Sequence, residues 1–373
     1  MRICMLIEAW KPIWAGGQVH VWELCKGLVR HNHEIDLYVM NLDGIKEETF
    51  FNGKLKIIRI GNKTRFNFPS RIKWCYDVIN EASKKKYDVV HAHANLPGIP
   101  GKIIAKKLGI PIIYTVHGSG IEAMKEMYGS LNGSLLYLIE TFVQRKIKYN
   151  KEISVDSRFL KYKNVNKGIS VIPNGVDIKK FDSISAKKSN KFKVIFVGRL
   201  HPQKGVKYLI EAISKIKDKI NNVEISIVGS GEEEQKLKGL SKNLGVSDII
   251  KFKGKLFGSD LVKEYKSSHL FVLPSLYEGQ PLTLLEAWAA KLPVLVTSTG
   301  DNDKFVKNSI NGFTVPPKNV SLLSINLLKI IGLDKQNLDK MGENGYRLVK
   351  GDYTWEKMVE KVDNIYENAG KIK

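Results

Sequence analysis

The sequence predicts an α/β protein with two Rossmann-like domains, and three observations support this fold class. The chain has 373 residues, which is more than one ordinary hydrophobic core accommodates. Short apolar runs alternate with helical patterns, as in parallel sheets flanked by helices. The order strand, loop and helix opens each half, with the strands at residues 3–7 and 193–197. The repeated opening therefore indicates a second domain of the same kind.

The elements after each opening follow the same alternation. In the first half, Gly16 and Gly17 end the loop after the first strand, and the apolar spacing from Val19 to Val29 predicts a helix. Three further elements are predicted on the same basis: a strand at 35–39, a helix at 206–216 and a strand at 223–228.

A polar segment without periodicity, residues 182–190, predicts the domain boundary. We therefore expect a first domain at 1–182, a second domain at 183–349 and a C-terminal helix within 350–373. Trp355, Met358 and Val362 have the spacing of that helix.

The composition is that of a globular protein, with 43% hydrophobic and 26% charged residues. No apolar run reaches the roughly 18 residues that a membrane-spanning helix needs. The start has no signal-peptide cleavage site, and Cys4, Cys25 and Cys75 have no metal-ligand spacing. These features predict a cytoplasmic protein with reduced, buried thiols.

The formal net charge of +22 leaves three interpretations. Nucleic-acid binding and contact with an anionic membrane each favour a basic chain. The third interpretation is a lysine-rich composition without a specific partner, because only nine of the 60 basic residues are arginine. Readers of phosphate and bases favour arginine. We therefore expect no nucleic-acid partner.

Two glutamates flank a strand-to-helix junction in the second half. The apolar run 270–273 predicts a buried strand, and Pro281 is expected in the first turn of the next helix. Glu278 then lies in the loop beyond the carboxyl end of a strand, where open α/β sheets bind ligands. Glu286 lies further along the helix, whose side chains lean towards its N-terminus. Both carboxylates can therefore bind hydroxyl groups beside N–H groups that suit an anion.

Two cations occupy the corresponding loop after strand 193–197. Arg199 leaves the end of that strand, and Lys204 precedes the next helix. Two converging cations would neutralise a diphosphate leaving group. We identify no Asp-x-Asp cluster on a strand end that would suit a catalytic metal. The alternative is an ordinary surface Arg and Lys in a basic chain.

Other loops at strand ends are weaker candidates. Gly16 and Gly17 allow a phosphate or sugar to approach the backbone, although the full G-x-G-x-x-G fingerprint of nicotinamide enzymes is absent. His117 follows the strand at 112–116 and can point into a ligand site, whereas His93 is interpreted as a structural residue or as part of an acceptor site.

The Pro-Ser-x-x-Glu-Gly run at 274–279 with Glu286 resembles the paired-glutamate signature of retaining glycosyltransferases of family 4. The Gly-Arg at 198–199, the Lys-Gly at 204–205 and the Pro-Asn-Gly-Val-Asp at 173–177 are also similar to that family, in the same order along the chain. The resemblance implies the GT-B fold, in which two Rossmann-like domains face each other across a crevice and a C-terminal helix returns to the first domain.

The resemblance also implies an activity and its residues. The chain is expected to be a metal-independent, retaining hexosyltransferase of glycan biosynthesis that uses a nucleotide-diphosphate sugar and no cofactor. Arg199 and Lys204 would bind the diphosphate, Glu286 the ribose, Glu278 the sugar, and His117 would lie near the reacting carbon. Further donor and acceptor contacts are implied at Gly16, Gly17, Gly229, Lys255, Leu256, Gly279, Gln280, Pro281 and Leu282.

Two departures from the family pattern leave the donor sugar open. Gln280 stands where many relatives have an aromatic residue. After Gly300, where relatives often have Gly or Asn and then Pro-Glu, this chain has Asp301, Asn302, Asp303 and Lys304. Two alternatives to transfer also stay open. One is sugar-nucleotide epimerisation by the same fold, and the other is a non-catalytic binding protein.

The acceptor is expected to be a saccharide or a lipid-linked saccharide bound by the first domain. Basic and aromatic residues alternate there, which is typical of segments that contact an anionic membrane: Arg59, Lys63, Arg65, Phe66, Phe68, Arg71, Lys73, Trp74 and Tyr76. The hypothesis is peripheral contact at the cytoplasmic membrane face. The alternative is a solvated helix whose Trp74 and Tyr76 pack inward.

Overall fold

The computed structural model describes residues 1–118 and 130–369, with side chains from residue 137 onward in the second range. The chain divides into two compact units. The first unit comprises Met1–Asn174 and the C-terminal segment that begins at Trp355, and the second comprises Gly175–Thr354. Each unit has a parallel sheet flanked by helices, which confirms the predicted α/β class.

Within the described residues, the first unit contains an eight-stranded sheet in the order β3-β4-β2-β1-β5-β6-β7-β8. Its strands are β1 Arg2–Leu6, β2 Glu34–Met40, β3 Glu47–Phe50, β4 Leu55–Ile60, β5 Val89–His93, β6 Ile112–Val116, β7 Lys151–Ser154 and β8 Ser170–Val171. The pairing of β3 with β4 is antiparallel, and the other pairings are parallel. The neighbours of β1 are β2 and β5, so the direction of winding reverses beside β1.

The helices of the first unit cover both faces of this sheet, so that strands such as β5 and β6 are buried along their whole length. They are α1 Gly16–Arg30, α2 Phe68–Ala82, α3 Gly98–Leu108, α4 Ser130–Arg145 and the C-terminal helix Trp355–Ala369.

The C-terminal helix completes the hydrophobic core of the first unit. Its Met358, Val362 and Tyr366 are buried in one cluster with residues of β1 and α1. Gly27 of α1 allows the close approach, because a Cβ atom at that position would lie 2.3 Å from Val359. The last helix of the chain is therefore part of the core that the first strand begins.

The second unit contains, in the described residues, a six-stranded parallel sheet in the order β11-β10-β9-β12-β13-β14. Its strands are β9 Phe192–Val197, β10 Val223–Val228, β11 Ile250–Gly254, β12 Leu270–Leu273, β13 Val294–Thr297 and β14 Gly312–Val315. Its helices are α5 Ile178–Asp182, α6 Val206–Ile216, α7 Glu234–Asn243, α8 Gly258–Lys266, α9 Leu282–Ala289, α10 Asn302–Phe305, α11 Val320–Ile331 and α12 Lys335–Asp352.

The strand order of the second sheet indicates which of its edges is expected to bind a ligand. β9 lies between β10 and β12, so the winding reverses at this point, and open α/β sheets bind ligands beyond the carboxyl ends of the strands at such a reversal. The loops that leave β9 and β12 carry the predicted cations and the first predicted glutamate. In the described part of the chain, no helix has the length and hydrophobicity needed to cross a bilayer.

Candidate active site

Lys204 and Glu278 meet at the switch point of the second sheet. The Nζ atom of Lys204 lies 2.6 Å from Oε1 of Glu278, and the hydroxyl of Ser275 donates to the same oxygen at 2.6 Å. The Glu278 side chain is 6% exposed, while Lys204 is 20% exposed. The two predicted residues, 74 positions apart in the sequence, therefore form one ion pair with one oriented hydroxyl beside it.

Arg199 lies in the same loop as Lys204 but is exposed. Among the described residues, no carboxylate lies within ion-pair distance of its guanidinium. His201 lies between the two cations in sequence, and its pKa is lowered first by burial and then by the charges of Arg199 and Lys204, with Glu232 opposing. Arg199 and Lys204 therefore both lie close enough to His201 to lower its pKa.

Close backbone packing holds the loops of this edge together. Gly205 has φ +64°, and a Cβ there would lie 2.1 Å from the carbonyl oxygen of Pro274. A Cβ atom at Gly229, at the end of β10, would lie 1.8 Å from the carbonyl oxygen of Gly198. The amide of Leu276 also donates to the Gln203 oxygen at 2.7 Å. The predicted Gly229 is thus required by packing against the loop that carries Arg199.

Glu286 has a different partner from Glu278. The hydroxyl of Tyr265, from α8, donates to Oε2 of Glu286 at 2.9 Å. Burial raises the pKa of Glu286, and the Tyr265 hydrogen bond and the charge of Lys180 oppose this. Neither Tyr265 nor Ser275 was predicted as a site residue. Ser275 belongs to the Pro-Ser motif, but Tyr265 lies on an amphipathic helix whose pattern carries no functional signal.

The junction between β12 and α9 differs slightly from the prediction. Pro281 is the residue before the helix, which begins at Leu282. Gln280 is buried. A Cβ atom at Gly300 would lie 2.3 Å from the carbonyl oxygen of Gly279. The first-turn N–H groups of α9 have no acceptor within the helix, so this junction can receive an anion.

Lys255 and Leu256 follow β11, further along the same edge. Lys255 is exposed, and Leu256 packs partly buried against the core of the second unit. The amide of Gly229 donates to the oxygen of Gly254 at 2.7 Å, which joins this loop to the end of β10.

The first unit brings His117, Gly17 and three further histidines together. A Cβ at Gly17 would lie 3.9 Å from Cγ of His117. The predicted helix begins at Gly16, so both glycines are its first residues and do not precede it. Nδ1 of His93 lies 3.1 Å from Nε2 of His117. The His117 ring therefore lies against the start of α1, at a distance that a Cβ atom at Gly17 would also allow.

Burial keeps these imidazoles uncharged. It lowers the pKa of His20 to about 4 and that of His91 to about 3, and it holds the pKa values of His93 and His117 well below the usual range. In each case desolvation is the main cause, and in His91, His93 and His117 the neighbouring imidazoles add to it. The carboxyl edge of the first sheet therefore presents neutral rings at neutral pH.

The basic and aromatic segment of the first unit is only partly on the surface. Arg59 is buried in ion pairs with Asp43 and Glu48, and Arg71 forms two hydrogen bonds with Glu8. The expectation that these two arginines face a membrane is therefore wrong. Trp74 packs inward and Tyr76 does not.

An apolar face nonetheless remains exposed on α2. Phe68, Ile72 and Tyr76 are spaced by four residues, which places them on one helix face. Their exposed fractions are 40%, 48% and 69%. Arg65 and Lys73 are exposed beside them.

Two parallel-sheet units, each with polar side chains gathered at the strand ends beside its reversal point, define the GT-B class of glycosyltransferases. Comparison with known proteins agrees. The family described as Glycosyltransferase Family 4 matches residues 14–180, and the family described as Glycosyl transferases group 1 matches residues 177–348. The chain belongs to the group 1 glycosyltransferases of family 4.

One curated relative and two solved structures illustrate the likeness. The UDP-Gal:alpha-D-GlcNAc-diphosphoundecaprenol alpha-1,3-galactosyltransferase of Escherichia coli is 32% identical over 307 residues, which covers 76% of each chain. The sucrose-phosphate synthase of Thermosynechococcus elongatus superimposes with a TM-score of 0.86 at 19% identity, over 98% of both chains. HepE of Anabaena in complex with UDP-glucose gives a TM-score of 0.76 at 18% identity, over 99% of this chain and 100% of the other. The two structures show a shared fold, which confirms the GT-B prediction.

Proposed function

We propose that this glycosyltransferase moves a hexosyl group, with retention of configuration, from a nucleotide-diphosphate sugar to a saccharide or lipid-linked acceptor. The observation that carries the proposal is the Lys204–Glu278 ion pair with Arg199 exposed in the same loop region. Retention is the outcome implied by family membership.

The cations account for the leaving group. When the bond between the anomeric carbon and the diphosphate breaks, negative charge develops on a phosphate oxygen. Arg199 has its guanidinium available, and Lys204 can pass from Glu278 to that oxygen. Preorganised cations of this kind stabilise developing charge without a divalent metal. We therefore propose that transfer does not require one.

The carboxylates divide the rest of the donor between them. Glu286 is oriented by Tyr265, so its other oxygen can accept from the ribose hydroxyls. Glu278 is oriented by Ser275 and Lys204 and would accept from hydroxyls of the transferred sugar. Gly229, Lys255, Leu256 and the 279–282 junction would surround the nucleotide.

The first unit would supply the acceptor side. A neutral ring at His117 can hydrogen-bond a sugar hydroxyl, and Gly16 and Gly17 leave room beside it. The E. coli relative is named for an acceptor linked to diphosphoundecaprenol, a lipid. Together with the apolar face of Phe68, Ile72 and Tyr76, this favours a lipid-linked acceptor reached at the cytoplasmic surface of a membrane.

A two-stage experiment tests the proposal. Thermal unfolding with a panel of UDP-, GDP- and ADP-sugars identifies the donor, because a ligand of the native state raises the midpoint. The selected donor is then incubated with saccharide and lipid-linked acceptors, and NMR reads the anomeric configuration of the product. Inverted configuration would overturn the retaining assignment. Donor turnover in the absence of every acceptor, without hydrolysis, would identify an epimerase.

A further inference from the structure

Three histidines of the first unit converge from three different elements. His20 comes from α1, His93 from the end of β5 and His117 from the residue after β6. One ring nitrogen of each lies within 4.8 Å of the others, and among the described residues this is the one such group that could hold a metal ion. We propose that His20, His93 and His117 bind a divalent transition metal of the Zn²⁺ class.

The hydrogen bonds of His20 leave one nitrogen directed at the cluster. Its Nδ1 lies 2.9 Å from Oδ1 of Asn174. An amide oxygen only accepts, so Nδ1 carries the proton and Nε2 carries a lone pair. That Nε2 is buried and has no hydrogen-bond partner. A second residue that fixes the tautomer of a ligating histidine is a usual feature of metal sites.

His93 also has one ring nitrogen without a hydrogen-bond partner, whereas both ring nitrogens of His91 are engaged. Nε2 of His93 is buried without a partner, while its Nδ1 faces His117 at 3.1 Å. Both nitrogens of His91 are satisfied, by the Tyr366 hydroxyl at 2.6 Å and by Thr115 at 2.7 Å. His91 is therefore a structural histidine, whereas Nε2 of His20 is unengaged and Nδ1 of His93 contacts only His117, the third proposed ligand.

The separations are close to those of a tetrahedral ion. Two nitrogens bound to one Zn²⁺ at its usual bond length lie about 3.3 Å apart. Nδ1 of His93 and Nε2 of His117 lie 3.1 Å apart. The three ring nitrogens, which lie within 4.8 Å of one another, would reach the spacing of metal ligands by moving roughly 1 Å. Buried, uncharged imidazoles bind metal without first losing a proton. A set of three imidazoles without a carboxylate favours Zn²⁺, Cu²⁺ or Ni²⁺ over Mg²⁺ and Ca²⁺.

The three histidines belong to the first unit, and the residues proposed to hold the diphosphate belong to the second. One consequence rests on the proposed function. A metal that takes the Nε2 atom of His117 withdraws that ring from the sugar, so occupancy should inhibit transfer. The metal is thus an inhibitor of the reaction and not a participant in it.

Metal binding is measured on untagged, chelator-stripped protein. We expect one equivalent of Zn²⁺ by titration calorimetry and elemental analysis, and Co²⁺ should give the visible absorption of a tetrahedral site. His20→Gln should weaken Zn²⁺ affinity at least tenfold, because it removes one ligand at the start of the cluster. Zn²⁺ should raise the thermal midpoint of the wild type and raise that of His20→Gln by clearly less.

His31→Gln is the matched control, because it removes a histidine of the same unit that lies outside the cluster. His31 and His33 both contact Asp363, at 2.6 and 2.8 Å. This variant should retain the bound metal. Absence of micromolar Zn²⁺ binding would overturn the proposal, and so would binding that His31→Gln abolishes and His20→Gln keeps. Either result would make the His93–His117 contact a plain hydrogen bond.

Transfer activity separates this proposal from the proposed function. Zn²⁺ should inhibit the wild type and inhibit His20→Gln at least tenfold less strongly. If Zn²⁺ binds at one equivalent and transfer is unaffected, the metal site stands and the role proposed for His117 is wrong.

Discussion

The two units have similar sheets but opposite chemistry at their carboxyl edges. In the first unit the edge carries buried, uncharged imidazoles that contact one another. In the second it carries an exposed arginine and an ion pair between Lys204 and Glu278. The same strand-end geometry therefore supports two kinds of ligand. The second edge suits a charged diphosphate, and the first suits an uncharged sugar hydroxyl.

The sharpest way to break this comparison is to remove the exposed cation. Arg199→Ala should lower kcat about a hundredfold or more, because losing one preorganised charge costs about 3 kcal/mol in the transition state. The thermal midpoint should not change, since Arg199 is exposed. Steady-state kinetics and calorimetry measure both quantities. Lys207→Ala, an exposed lysine at the start of α6, is the matched control and should keep full activity. A near-wild-type rate for Arg199→Ala would remove the diphosphate assignment.

Lys204→Ala should behave differently from Arg199→Ala. It should lower activity to a similar extent and also lower the free energy of unfolding by roughly 1–3 kcal/mol, because Glu278 loses a charged partner while remaining buried. Urea unfolding of the two variants side by side tests the distinction. Equal stability would show that the ion pair contributes nothing to the fold.

Lowering the pH should reduce the stability of the first unit more than that of the second. A histidine with a depressed folded pKa is unprotonated in both states above about pH 7, and only the unfolded chain gains the proton as the pH falls. The pKa of His20 is about 4 in the folded protein against the usual 6.5. This histidine should therefore lower the free energy of unfolding by about 2 kcal/mol between pH 7 and pH 5. Urea unfolding at both pH values measures the loss.

His20→Gln should flatten that pH dependence by the same amount. The second unit contains two histidines with a lowered pKa, His201 and His269, the latter at about 4, against five in the first unit, so its own unfolding transition should shift less. Equal acid sensitivity of the two units would contradict the comparison.

The two glutamates of the second unit should be separable by ligand. Glu286→Ala should weaken binding of the free nucleotide diphosphate about tenfold, and Tyr265→Phe by a smaller factor, because one hydrogen bond to a charged group is lost or misdirected. Glu278→Ala should spare the free nucleotide and weaken the sugar nucleotide. Calorimetry with both ligands decides this, and equal losses for both glutamate variants would mean that the roles are wrongly divided.

Contact with a membrane should depend on the apolar face of α2. The wild type should co-sediment with anionic liposomes at low salt, and Ile72→Glu with Tyr76→Glu should reduce the bound fraction severalfold by placing charge where apolar contact is needed. Arg65→Glu should have a smaller effect through lost attraction to anionic lipid. Lys251→Glu on the edge strand β11 is the control. Binding indifferent to all three changes would favour an acceptor free in solution.

The smallest expected effect is that of a chelator. If Arg199 and Lys204 replace a metal at the diphosphate, excess EDTA should leave the transfer rate of protein already stripped of metal within about twofold of its initial value. Loss of activity that a divalent ion restores would contradict the metal-independent mechanism.

The sequence predicted the elements well because apolar periodicity marks strands and helices directly. The predicted helix at 206–216 and strand at 223–228 coincide with α6 and β10. The side-chain partners could not be predicted in the same way. The Lys204–Glu278 and Tyr265–Glu286 contacts join separate loops and helices, and their existence depends on how those elements pack.

The errors near the first unit have a similar cause. Arg59 and Arg71 looked like surface cations because arginine usually is exposed, but carboxylates from β3 and from the end of β1 reach them. His20 carried no signal, because a histidine on a helix face is ordinary until its neighbours from β5 and β6 are known.

The C-terminal helix has a consequence for synthesis on the ribosome. Its Met358, Val362 and Tyr366 fill a core that begins with the first strand, so the first unit stays incomplete until residues 355–369 have been translated. The intervening unit, Gly175–Thr354, takes on the order of 10 to 40 s to synthesise at typical rates. During that interval the apolar surface of α1 around Gly27 stays uncovered. The first unit therefore cannot complete its core until the whole second unit has been synthesised, and a nascent chain stalled before residue 355 should depend on chaperones.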